Sequence, residues 1–383
     1  MRVSSVAIFS AIGLVAAQDC AKIPETITYN KATLPDPFTT VGGAKVTTKA
    51  QWQCRRQEII ELLSRYELGP KPPKPANVSA TFSGNSIKIT ITEAGKTITM
   101  SPSVRIPTGG SAPYPVIIAF GMPSIAIPAG VAVVNFQPEQ LAPSDPPHGK
   151  GAFFNIYGSN HNAGGLMAWA WGVSRVIDAI EQIGAAAKLD PKRIGVTGCS
   201  RYGKGALASG AFDERISLTL PQEGGSGGPG CWRVVAEMKR NGTKVEDAVQ
   251  ISGGDQWFNP KFAQNAKNVN AWPEDHHMLM GLVAPRGLLV IENTGIDYLG
   301  PPSTAACTTA AKEIYKSLGA GDSIGYTASN HGHCSLPANQ GPDIALFAQR
   351  FLFGKAETKT EMWKTDKKFD VKKWIDWATP TLT

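Results

Sequence analysis

Ile194-Gly195-Val196-Thr197-Gly198-Cys199-Ser200-Arg201-Tyr202-Gly203-Lys204-Gly205 reads as a strand, a turn and a helix in immediate succession. Ile194 to Val196 is a short β run, Gly203 to Ala211 is helical in character, and one serine stands at the apex between glycines. Strand, sharp turn and helix with serine at the tip is the layout of a nucleophile elbow. The flanking glycines suit a tight turn and leave the backbone open to an incoming carbonyl. The spacing is Gly-x-Ser-x-x-Gly, one residue longer than the commonest form, and a serine-capped β-to-α turn is the plainer account of the same residues.

The surrounding chain favours the elbow. From Tyr114 onward, short apolar runs (Val116 to Phe120, Val131 to Phe136, Leu218 to Leu220, Leu288 to Ile291) alternate with helical stretches. Leu166, Trp169, Val173, Val176, Ile177 and Ile180 fall on one helical face. Such alternation predicts a doubly wound, mostly parallel sheet between helix layers, a three-layer αβα sandwich. Upstream, Trp52 to Tyr66 reads as a helix and Val78 to Met100 as short antiparallel strands. Ile344 to Phe353 reads as a closing helix, and residues 355–383 as a polar C-terminal extension lying over the surface of a single catalytic domain, residues 18–383.

Of 383 residues, 42% are hydrophobic, enough for a large core, and the net charge of +7 is mild. The charge is densest in the lysine-rich stretch from Lys355 to Lys373, which suits a solvated face or attraction to acidic polymers. There is no zinc-type Cys/His spacing and no phosphate-cradling glycine loop, so neither metal, cofactor nor nucleic acid is expected. Arg2, the apolar run Val6 to Ala16 and the small residues Val15-Ala16-Ala17 read as a signal peptide over residues 1–17. No other run approaches the roughly 18 apolar residues of a membrane span. A secreted, soluble monomer follows as the expectation. Six cysteines in such a chain favour disulfides, with 15 pairings open. The sequons at Asn77 and Asn241 are candidate glycan sites.

A serine nucleophile needs a base and an orienting acid. In this type of sheet the base comes late in the chain, and Asn330-His331-Gly332-His333-Cys334 follows the last strand candidate. Cys199 adjoins Ser200 and Cys334 adjoins His333. A bridge between them would hold the two loops within about 5.5 Å at Cα, which favours His333 over His331. For the acid, Glu223 ends the strand after the elbow helix, whereas Glu292 and Asp297 follow the next strand; the residues alone leave this open. Arg201 and Lys204 place two cations at a helix N-terminus, against the helix dipole, which points to an anionic ligand or a developing oxyanion.

Gly198-Cys199-Ser200-Arg201-Tyr202-Gly203-Lys204 resembles the Gly-Cys-Ser-Arg-x-Gly-Lys signature of the fungal glucuronoyl esterases. Ala168-Trp169-Ala170-Trp171-Gly172, Pro221-Gln222-Glu223, Cys231-Trp232-Arg233, Leu299-Gly300-Pro301 and His331-Gly332-His333-Cys334 are similar to further segments of that family, and the likeness runs from Cys20 to about Phe353. The resemblance implies an α/β-hydrolase fold and hydrolysis of esters between 4-O-methyl-glucuronic acid on xylan and lignin alcohols. It implies Ser200 as nucleophile, His333 as base and Glu223 as acid, Arg201 at the oxyanion and Lys204 at the sugar hydroxyls. It also implies the bridges Cys20–Cys54, Cys199–Cys334 and Cys231–Cys307. The sugar pocket departs from the family pattern: Glu246 replaces an expected Gln, Asp255 lies where a Glu is expected ahead of Trp257-Phe258, and Tyr298 replaces a Trp before Leu-Gly-Pro. A general carbohydrate or acetyl-xylan esterase, and a catalytically silent carbohydrate-binding protein, are the alternatives.

Overall fold

A computed structural model describes residues 20–254 and 256–383. The signal-peptide reading of residues 1–17 and the position of Asp255 fall outside them. Eleven strands form one sheet: β1 (Asn77–Ser83), β2 (Ser86–Glu93), β3 (Lys96–Met100), β4 (Ser103–Arg105), β5 (Tyr114–Phe120), β6 (Ala132–Phe136), β7 (Leu189–Cys199), β8 (Ile216–Gln222), β9 (Gly287–Asn293), β10 (Ile324–Ser329) and β11 (Met362–Thr365). The order is β1-β2-β4-β6-β5-β7-β8-β9-β10-β11, with β3 paired to β2. From β6 to β11 neighbouring strands run parallel, and pairs within β1–β4 and at β4/β6 are antiparallel.

Burial explains this division. Strands β5 and β9 are buried at nearly every position, as helices on both faces require. Strand β1 alternates exposed and half-buried residues, as an edge with one wet face does. The mostly parallel sheet between helix layers is the α/β-hydrolase arrangement expected from the sequence.

The helix Gly165–Ala187 is buried well beyond the single face its periodicity suggested. The sheet covers one side, and the elbow helix Arg201–Phe212 together with β1 covers much of the rest. A charged group inside it is paired there. Asp178, 1% exposed, accepts from Arg175 Nε at 2.7 Å and from Arg215 Nη1 at 2.7 Å.

The reading of residues 355–383 as a polar cover needs correction. Met362–Thr365 joins the sheet as edge strand β11, parallel to β10, and Trp374 and Leu382 are buried. The stretch looks polar because an edge strand buries only part of its residues: Met362 points in, while Trp363 and Lys364 remain exposed.

Replacing Asp178 with Ala strands Arg175 in the interior without its carboxylate. Removing one partner of a buried pair costs about 3–5 kcal/mol, and urea unfolding of Asp178→Ala is expected to show a loss of that order with little change in m-value.

Candidate active site

Strand β7 ends at Cys199, and the chain reverses into the helix through Ser200, which holds φ 61° and ψ −126°. Few side chains tolerate this region, and such strain persists only where the surroundings enforce it. Here the Ser200 amide donates to Gln222 O at 2.9 Å, tying the apex to the end of β8. The neighbouring glycines have a different reason from the one the sequence suggested. A Cβ on Gly198 would lie 2.4 Å from Tyr202 O, and one on Gly203 would lie 2.4 Å from Gln222 O. They let the elbow fold onto itself and onto β8, not merely admit a ligand.

Glu223 follows β8 with φ 48°, again left-handed and non-glycine. Its carboxylate is fully buried and is met by donors from three segments. His333 Nδ1 lies 2.8 Å from Oε2, and the Cys334 amide donates to Oε1 at 3.0 Å. Gln222 Nε2 donates to Oε1 at 3.1 Å, and Asn293 Nδ2 to Oε2 at 3.3 Å. His331 is farther off, with Nδ1 at 3.7 Å from Oε1 and at 3.1 Å from Asn293 Nδ2. His333 keeps a third of its side chain exposed, whereas His331 is nearly buried.

The Cys199–Cys334 disulfide holds these loops together, with Cα atoms 5.8 Å apart across 135 residues of chain. It sits directly beside both Ser200 and His333. Cys20–Cys54 and Cys231–Cys307 are the other two bridges. Two places among the described residues bring three Cys, His or Asp donors together: Cys199 with His333 and Cys334, and Cys231 with Asp275 and Cys307. Both contain a disulfide, and oxidised sulfur offers no thiolate to a metal.

The remaining candidates surround this centre. Arg201 is exposed at the start of the elbow helix. Lys204 is 3% exposed, donates to Gly224 O at 2.7 Å and lies over the Trp257 ring at 5.1 Å. The Tyr298 ring stands edge-on to His333 at 5.9 Å and is 40% exposed. The half-buried Glu246 is tied to it by a 3.2 Å bond from its amide to Tyr298 O. Asn77 and Asn241 are exposed.

Of the rival acids, Glu292 is fully buried, and among the described residues its carboxyl makes no well-formed hydrogen bond, with only the Gly225 and Asn293 amides near it. Burial pushes its pKa up to about 8, with the charge of Glu223 adding to the effect. Asp297 begins a short 3-10 turn whose final residue is Leu299.

Sequence reasoning missed a second buried group. His276 and His277, which no sequence pattern singled out, are fully buried. His276 Nε2 lies 2.8 Å from Glu67 Oε2, and its Nδ1 meets Gly228 O, in the loop that follows Glu223. Burial works against charge on His276, but the Glu67 carboxylate overrides it and raises the pKa. Glu274 beside them is raised well above its ordinary value by burial and by the charges of Glu67 and Asp275. The only hint in the sequence is the unbroken polar run Glu274-Asp275-His276-His277, which has no apolar period to place it inside.

An elbow at the C-terminal end of a parallel strand, with a His–Glu pair on the neighbouring strand ends, defines an α/β-hydrolase. A family model described as fungal glucuronyl esterase matches residues 89–319. The 4-O-methyl-glucuronoyl methylesterase of Hypocrea jecorina is 46% identical over 368 residues, covering 95% of this chain and 79% of the relative. That of Schizophyllum commune is 42% identical, with 98% of each chain covered. Among solved structures, a serine-to-alanine mutant of the Sporotrichum thermophile glucuronoyl esterase, in complex with methyl 4-O-methyl-beta-D-glucopyranuronate, superimposes with a TM-score of 0.92 at 42% identity. The match covers 96% of this chain and all of that one. The chain belongs to the fungal glucuronoyl esterase family and is a carboxylic ester hydrolase.

The neutral Glu292 gives a testable pH signature. Its folded pKa lies above the ordinary carboxyl value, so the native state holds a proton that the unfolded chain releases. Stability from this residue is greatest below about pH 4.5 and declines as pH rises towards about 8. Glu292→Gln removes that slope. Thermal unfolding is therefore expected to show the variant gaining on wild type from about pH 5 to about pH 8.

Proposed function

We propose that the protein hydrolyses the ester between 4-O-methyl-D-glucuronic acid on glucuronoxylan and lignin alcohols, through Ser200, His333 and Glu223. The observation carrying this reading is the 2.8 Å contact of His333 Nδ1 with the buried Glu223 carboxylate, in a loop bridged by Cys334 to the residue before Ser200. With Nδ1 engaged, Nε2 is the nitrogen left to take the Ser200 proton. Ser200 Oγ attacks the C6 carbonyl of the uronate ester and gives a tetrahedral oxyanion. Arg201 and a backbone N–H of the elbow stabilise that charge, which the neutral ester lacks, so their help falls on the transition state. His333 then protonates the departing alcohol. In the second half-reaction it activates water, which releases the uronic acid and regenerates Ser200.

Lys204, Glu246 and Tyr298 form the sugar side of the site in this reading. Tyr298 offers an aromatic edge smaller than the expected Trp. Secretion fits the three disulfides, which persist in oxidising compartments. Among the described residues no helix is long and apolar enough to cross a membrane. Release of lignin from xylan during lignocellulose breakdown is the biological role that follows.

The test is turnover of benzyl glucuronate beside p-nitrophenyl acetate. Ser200→Ala is expected to lower kcat on the uronate ester by about 10⁶-fold and Glu223→Ala by about 10⁴-fold, with Arg201→Ala losing about 10²–10³-fold. Glu292→Gln is expected to stay within a few-fold of wild type. Acetate cleavage without uronate cleavage would point to the general esterase and to the changes at Glu246, Asp255 and Tyr298. Cleavage of neither ester by folded protein would overturn the enzymatic reading.

A further inference from the structure

The lysine-rich tail is not spread evenly over solvent. It lines one side of a groove of about 680 Å³ between β11 and the helix Pro301–Ser317. The groove has an aromatic wall and a cationic rim. Trp363, 41% exposed, stacks on the buried Tyr326 ring with centroids 4.7 Å apart and planes 22° from parallel. Tyr326 in turn meets Thr304 of the helix through its hydroxyl at 3.1 Å, so the Trp363 ring is held on the helix side of the sheet edge.

Four lysines line the groove, Lys312 and Lys316 from the helix and Lys367 and Lys368 from the tail, against two glutamates, Glu313 and Glu361. Both acids are engaged. Glu361 pairs with Lys312 at 3.3 Å; Glu313 pairs with Lys316 at 2.7 Å and also accepts from Thr379 Oγ1 at 2.6 Å. Lys367 donates to Thr294 O at 2.6 Å. Lys368 has no ion-pair partner among the described residues and is exposed. An exposed indole flanked by excess cations suits a sugar ring bearing carboxylates better than a neutral glycan or a bare polyanion.

Hydrogen bonds tie the groove wall to the loops of the active site. The carbonyl that Lys367 engages belongs to Thr294, next to Asn293, whose Nδ2 reaches both Glu223 Oε2 and, at 2.8 Å, His331 O. Asp366 accepts from the Asn330 amide at 2.9 Å, tying the end of β11 to the loop that carries His333.

We propose that this groove is a second carbohydrate-binding site, taking a stretch of xylan-type chain that bears free uronate groups. The proposal rests on the uronate-ester reading above only for the identity of the polymer. It is tested by calorimetric titration with soluble glucuronoxylan in a Ser200→Ala background, so that binding is read without turnover. Trp363→Ala and the double variant Lys312→Glu/Lys368→Glu are each expected to weaken polymer binding by about 10-fold or more. The parent affinity should fall steeply between about 20 and about 300 mM salt and should exceed that for neutral arabinoxylan. In the Ser200-intact enzyme the same substitutions should leave benzyl glucuronate turnover unchanged, so failure of the esterase reading would appear there and not in the titration. The double variant changes the exposed Lys368 and Lys312, which is 18% exposed, and serves where Trp363→Ala loses its fold. Retained affinity in the folded double variant, equal binding of neutral xylan, equal competition by polyglutamate, or no polymer binding at all would overturn the proposal.

Discussion

The interaction on which the site depends is the burial of the Glu223 carboxylate. A carboxylate with no exposure is tolerated only where donors replace the water it has lost. Four converge on this one, from the residue before it, from the end of β9 and from two consecutive residues of the 331–334 loop. Three of the four come from chain segments distant in sequence. The parallel order β7-β8-β9-β10 brings them to one edge. The left-handed backbone at Ser200, Glu223 and Cys334 follows from the same constraint, because each turn must deliver its group to a point the strands have already fixed.

Glu292 shows what happens without those donors. It lies one residue before the end of β9 and is as fully buried, yet only the Gly225 and Asn293 amides are near its carboxyl and its pKa rises to about 8. Two carboxyls near one another in a shared low-dielectric interior are pushed apart in role by what surrounds them. The neutral one adds no second negative charge beside Glu223. The proposed acid is Glu223 because its carboxylate meets His333 Nδ1 at 2.8 Å, which strand-end position alone does not predict.

Most of the fold was legible in the sequence because apolar runs and helical periodicity report burial, and burial sets the layers. Val116 to Phe120, Leu288 to Ile291 and the Leu166–Ile180 face all fall inside the elements their patterns suggested. The elbow was legible because its serine and glycines stand between an apolar strand run and a helical run, in a chain that alternates the two. The choice among Glu223, Glu292 and Asp297 was not, since a carboxyl's donors come from elsewhere in the chain and leave no local mark. The buried Glu67–His276 pair is hidden for the same reason: polar residues that satisfy one another across 209 positions carry no periodicity. Strand β11 was missed because only Met362 of its four residues is buried.

That short strand alters how the charge of the molecule is understood. Read from composition, the tail lysines are diffuse surface charge. Once β11 pairs with β10, Lys367 and Asp366 become fasteners between the tail and the loops after β9 and β10, the same loops that supply Asn293 and His333. The tail cations are then held in place by the sheet edge instead of moving with a free tail. Hydrolysis of a uronate ester converts a neutral group into an anion, and the polymer around it already carries others. In the proposed uronate-ester reaction, such a fixed positive flank would draw an acidic chain to the enzyme through an attraction that salt screens.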